Sequence, residues 1–291
     1  MQIPSFAHDD GGVGSVDAFQ NLMRRYSFAY TAAHDFSQLA DLMVDDYVLL
    51  MGEHEIRGRD GEYRAATTEQ YTQFPGLGFT VHDVITNGDR FSLVFTEHGA
   101  SRRRRGRAAA WRGISLYRWD RTRLIECRVE QDYWARRRQL AGDEPDEVAP
   151  PHLDPWTTHT VPEDRNAVAS VYGWLRELGV LSSPVGTVDS EAVGAEPDRV
   201  QIDEPNVEVL DIFSAGRRVP FAIRISGLFA GGLSDLDKHL GDPMSLYVTG
   251  VAAADAHGGV RLVTAVTDRL GLVHRLTADD EPVDNRVTTS P

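Results

Sequence analysis

Two stretches of this 291-residue chain repeat each other, and that repeat limits the fold more than any other feature. Phe79 to Gly88 (FTVHDVITNG) aligns without gaps on Val207 to Gly216 (VEVLDIFSAG), an offset of 128 residues. Leu124 to Leu140 aligns on Val260 to Leu276, an offset of 136. Asp83 therefore falls on Asp211, and Asp132 on Asp268. Both copies run in the same order: helix, strands, a strand ending in Asp, then a leucine-bearing segment. The expectation is two domains of one design. The second is shortened, with roughly 27 residues between its first helix and its strands against about 45 in the first.

Periodicity gives the elements. Phe19, Leu22, Met23, Tyr26, Ala29, Tyr30 and Ala33 recur at helical spacing behind a cap at Ser15 or Asp17. A short helix over 36–42, a hairpin over 47–58 and a helix over 60–72 follow. Strands are expected at 78–86, 90–99, 108–119 and 123–131, with turns at Asn87-Gly88, 102–107 and 120–122. Helices first and a long antiparallel meander after make an α+β domain, a curved sheet wrapped over helices. The expected organisation is a flexible lead-in over 1–15, a first domain over 16–140, an acidic proline-rich linker over 141–163, a degenerate second domain over 164–280 and a flexible tail over 281–291.

Charge narrows the partners. The chain carries −14, yet residues 1–140 balance at 19 basic and 19 acidic, and the whole excess lies in the second half. An acidic half disfavours nucleic acid or an anionic membrane as partner. No apolar run approaches the ~20 residues that span a bilayer, and MQIPSFAHDD lacks the pattern of a signal peptide. Cys127 is the one cysteine, which excludes an intrachain disulfide and suits a reducing cytoplasm. His152 and His159 are too loosely placed for a metal site. No phosphate loop or nucleophile motif occurs. The arginines at 102–105 and 107 are either a solvated hairpin tip or a dock for an anion such as a phosphopantetheine carrier or coenzyme A.

Three stretches carry a family resemblance: Tyr26…Tyr30…His34-Asp35-Phe36…Leu39 running to Asp46-Tyr47; Ile56-Arg-Gly-Arg-Asp60; and Arg112 to Arg118 with Arg123-Leu-Ile-Glu126 and Asp132. With these, residues 17–140 resemble the SnoaL-like polyketide cyclases of the nuclear-transport-factor-2-like superfamily. Residues 165–277 resemble them more weakly. The resemblance implies a cone-shaped fold, a bent sheet enclosing helices around a deep apolar pocket. It further implies dimerisation through the outer sheet face, so that a tandem chain is a pseudo-dimer within itself, or forms a homodimer.

The resemblance also implies that Asp132 is a general acid/base acting without metal or organic cofactor on a hydrophobic, carbonyl-bearing small molecule such as a polyketide, in a cyclisation, isomerisation or dehydration. The alternative role for Asp132 is a helix cap. Alternation places Glu126, Arg128, Glu130 and Asp132 on one strand face, either a polar pocket wall or a solvated surface. Trp111, Gly113, Ser115, Tyr117 and Trp119 share another face, which lines a cavity for a planar ligand or forms an aromatic core. Tyr26 and Tyr30 are four apart on the first helix and point the same way, toward the pocket that the resemblance implies. His34, His54 and His98 are expected near its mouth, with His98 the preferred second acid/base. The rival to an enzyme is a non-catalytic small-molecule-binding or protein-interaction module of the same fold.

Overall fold

The computed structural model describes residues 17–142, 144–182, 187–189, 199–278 and 280; Ser15 and the expected terminal segments lie outside them. Helix α1 (Ala18–Arg25) starts where Asp17 accepts from the backbone N–H groups of Phe19 and Gln20, at 2.9 and 3.3 Å. It widens into a π-helical stretch over Tyr26–Ala32. A short 3₁₀ turn and α2 (Leu39–Leu42) lead into β1 (Met43–Met51) and β2 (His54–Arg57), and α3 (Arg64–Gln73) follows. Then come the meander strands β3 (Gly78–Thr86), β4 (Arg90–Ser101), β5 (Arg107–Trp119) and β6 (Leu124–Gln131), and α4 (Tyr133–Ala141). These strands form one six-stranded sheet in the order β2-β1-β6-β5-β4-β3, antiparallel except where β1 joins β6. Its inner face packs on α1, with Phe19, Met23, Tyr47, Phe91 and Leu124 buried between them.

The second half has α5 (Arg165–Arg176), α6 (Gly179–Ser182), β7 (Thr187–Val188), β8 (Gln201–Ile212), β9 (Arg218–Gly231), β10 (Pro243–Ala254), β11 (Val260–Thr267) and α7 (Arg269–Leu276). Its sheet order is β7-β11-β10-β9-β8, with β7 joining β11 in parallel. That is the pairing order of the first sheet without β2. The pairing registers also shift at corresponding places: between Val81 and Asp83 in β3, and between Val209 and Asp211 in β8.

The two sheets meet through their outer faces. Ile85, Val94, Ile114 and Leu116 of the first bury against Phe213, Ala215, Val251 and Val266 of the second. Two ion pairs cross this seam reciprocally. Arg90 Nη2 lies 2.5 Å from Asp211 Oδ2, and Arg218 Nη1 donates to Asp83 Oδ1 at 2.9 Å. The two aspartates are 128 residues apart, and so are the two arginines. An isologous interface has this signature, in which residue i meets j and j's counterpart meets i's.

The segment joining the halves lies along the first domain. His152 N donates to Val81 O at 2.9 Å and Val161 N to Thr86 O at 3.1 Å, so the segment covers the open edge of β3. Gln20 Nε2 reaches Pro155 O at 3.1 Å, and Asp146 pairs with Arg138 at 2.7 Å. Composition marks this segment as an acidic proline-rich linker, and backbone and side-chain bonds tie it to the first domain. The arginine-rich β4–β5 tip is exposed, and Arg103 pairs with Glu69 at 2.8 Å.

Candidate functional site

Alternation on β4 decides what faces the interior. Phe91, Leu93, Phe95 and Glu97 point inward, while Ser92, Val94 and Thr96 alternate to the other side. Glu97 is the one carboxylate on that inward row. It is 7% exposed and sits in the wall of a cavity of about 80 Å3. Tyr26, Tyr63, Tyr71, Tyr117 and Tyr133 line the same cavity, with Cys127 on β6 and Gln70 on α3. Gly113 has no Cβ, and the Phe95 ring occupies that space: a Cβ there would stand 2.3 Å from Phe95 Cζ.

Burial pushes the Glu97 carboxyl up to about 7, against the pull of the Arg136 guanidinium and the hydrogen bonds of Gln70 and Trp111. Gln70 Nε2 donates to Glu97 Oε2 at 2.7 Å. The phenols of Tyr26, Tyr63, Tyr71 and Tyr117 are raised by burial and stay protonated. The Cys127 thiol is pushed up to about 12 by burial, so it is not a thiolate nucleophile. A carboxyl that exchanges protons near neutrality, among fixed hydroxyl donors, can take a proton from carbon beside a carbonyl while a phenol stabilises the enolate oxygen. Among the described residues no cluster of side chains is arranged to hold a metal.

The sequence-derived candidates divide. Tyr26 and Tyr117 line the cavity. Tyr30 is buried behind them, its ring 5.6 Å from Tyr26 and 6.3 Å from Tyr71. Trp111 and Ser115 are on the inward face as expected, but Trp111 packs beside the cavity on Phe74, its Nε1 donating to Gln131 Oε1 at 2.7 Å. His98 alternates to the far face of β4, where Nε2 meets Thr80 Oγ1 at 3.1 Å. His54 is exposed on β2. His34 is nearer, stacked at 3.9 Å on Tyr71.

Asp132, the expected proton carrier, lies outside the cavity. It caps α4, accepting from Ala135 N at 3.0 Å, and it is fully buried in the seam. There Arg269 Nη2 contacts both its oxygens, at 2.9 and 2.8 Å. Asp268 caps α7 in the same way through Gly271 N at 3.0 Å. Glu126, Arg128, Glu130 and Asp132 do share a face, but it is the outward one; Cys127, Val129 and Gln131 face the cavity. Glu126 pairs with Arg118 at 3.4 Å, and Glu130 accepts from Gly52 N at 2.9 Å. The row is neither pocket wall nor solvated surface, because the second sheet covers its end. Glu97 lies outside the residues to which the family resemblance points, and its signal in the sequence is the alternation Phe91-x-Leu93-x-Phe95 that it ends.

The SnoaL-like domain family model matches residues 23–127, the stretch that builds this cone. Residues 23–127 are a SnoaL-like domain. Solved structures similar to this SnoaL-like domain include a protein described as a SnoaL-like polyketide cyclase from Jannaschia sp. CCS1, at 16% identity, covering 45% of this chain and 97% of its own, with a TM-score of 0.41. TsrD from Streptomyces laurentii is 23% identical over 43% of this chain and 96% of its own, with a TM-score of 0.38. IdmH from Streptomyces antibioticus is 18% identical over 42% and 96%, with a TM-score of 0.37. No curated protein matches the sequence. No helix among the described residues is long and apolar enough to cross a membrane.

Proposed function

We propose that the SnoaL-like domain binds a hydrophobic, carbonyl-bearing small molecule and moves a proton on it without a cofactor, with Glu97 as the proton carrier. The reading keeps the acid/base chemistry expected from the family resemblance and moves it from Asp132 to Glu97. The observation that carries it is a buried carboxyl, held near neutrality, in the wall of a cavity lined by phenols. Cyclisation, isomerisation and dehydration all begin with such a proton abstraction. The second domain is a degenerate tandem copy that acts as a built-in partner, a reading supported by the shared strand order and the reciprocal Asp–Arg pairs. A single buried cysteine fits the cytoplasmic setting expected from the sequence.

The test is α-proton exchange of small ketones and 1,3-diketones in D2O, followed by mass spectrometry on the full chain. Exchange above background that Glu97→Gln removes is the expected result. Undiminished exchange in Glu97→Gln would exclude Glu97 as the carrier. The small size of the cavity favours a second reading, a non-catalytic holder of small molecules; binding without any exchange would select it.

A further inference from the structure

The cavity beside Glu97 measures about 80 Å3, which admits the reacting end of a substrate and little else. A second space of about 580 Å3 adjoins it, between the first domain and the segment 147–156. That is the size of an ordinary small-molecule site. Phe79 lines both spaces, its ring packed at 4.9 Å on Phe95, and so forms the partition between them. The roof of the groove is fixed: His152 N is bonded to Val81 O, His82 Nδ1 lies 3.0 Å from Pro150 O, and Gln20 holds Pro155 O.

The lining defines what fits. Phe28 is 57% exposed at the groove, edge-on to Trp156 at 5.7 Å, and Leu153 is fully exposed. Large apolar side chains left open around one concavity mark a binding surface. Among the described residues Glu147 and Asp154 are the carboxylates of the lining and no arginine or lysine lines the groove, in a chain with 30 of them. An anionic ligand would meet two carboxylates there and no arginine or lysine, with His152, Thr80 and Ser27 the other polar side chains of the lining, so a coenzyme A or phosphopantetheine arm does not suit this groove.

We propose that the groove under segment 147–156 binds the body of an uncharged, elongated aromatic or polycyclic molecule, whose small carbonyl-bearing end passes Phe79 to reach Glu97. The second clause rests on the proton-transfer reading above; the groove as a binding site does not.

The probe is 6-propionyl-2-(dimethylamino)naphthalene, an uncharged naphthyl ketone whose emission shifts to the blue in apolar surroundings. Titration into the full chain is expected to give saturable binding at one site. Ala32→Trp, which fills the groove from an exposed rim position, and Phe28→Ser are each expected to weaken it by about tenfold. The anionic 8-anilinonaphthalene-1-sulfonate is expected to bind at least about tenfold more weakly than the ketone. Absence of saturation, equal affinity in both variants, or preference for the anion would overturn the groove. Both substituted positions are exposed, and thermal melting checks that the variants fold. The fluorescence reads occupancy and not proton transfer, so its failure is distinguishable from loss of exchange at Glu97.

Discussion

Glu97 and Asp132 are both buried carboxylates of the first domain, and their surroundings make them opposites. Glu97 faces a cavity among neutral groups, with Gln70 donating to it and Arg136 acting as a more distant charge. Burial then dominates and lifts its pKa into the range where protons move at neutral pH. Asp132 faces the seam, where Arg269 grips both oxygens and a helix N-terminus supplies an N–H. Burial makes a carboxyl reactive only where no cation cancels it. With a cation in contact, the same burial turns it into a structural lock.

The sharpest way to break this contrast is Glu97→Gln. Loss of α-proton exchange by ~10²–10⁴-fold is expected, with the fold retained by circular dichroism. In the wild type the exchange rate should rise with pH through about 7, because the ionised carboxylate is the base. The stability effect has its own sign. Glu97 binds its proton more tightly when folded, so between 4.5 and about 7 stability falls as pH rises. Glu97→Gln removes that slope, and above pH 7 it should melt no lower than the wild type. A lower melting temperature there would contradict the account of Glu97.

On the seam side, Arg269→Ala strands the buried Asp132 carboxylate and is expected to cost roughly 3–5 kcal/mol in denaturant unfolding. A cost under about 1 kcal/mol would show that the pair is not the lock described here. Gly52 comes next. Its φ is +56°, and a Cβ there would lie 2.6 Å from Asp268 Oδ2, so Gly52→Ala should cost ~1–3 kcal/mol. The reciprocal pairs give the smallest effects and a ranking. Asp211 is 3% exposed in its side chain and Asp83 25%. Arg90→Ala should therefore destabilise by ~1–3 kcal/mol and Arg218→Ala by under ~1 kcal/mol. The reverse order would deny that burial sets the value of the two pairs.

Much of the fold was legible in the sequence, and the reason is local. The meander strands fall within one or two residues of their expected bounds because alternation and turn residues act over short range. The candidate site was legible only in part. Tyr26 and Tyr117 reach the cavity, whereas His98 sits on the far face of β4 and Asp132 at the start of α4 in the seam. The two-residue strand period that carries Glu97 inward with Phe91, Leu93 and Phe95 sends the neighbouring His98 to the other side of β4.

By itself the sequence carried the two matching stretches, the meander strands and the common face of Glu126, Arg128, Glu130 and Asp132, because spacing and parity belong to neighbouring residues. Tertiary structure alone decided which face of β6 would be inside. Parity says that Glu126, Arg128, Glu130 and Asp132 stand together, but it does not say what covers them. The second sheet covers the end of that row, supplies Arg269 from 137 residues away, and leaves the interior to the face that carries Cys127, Val129 and Gln131.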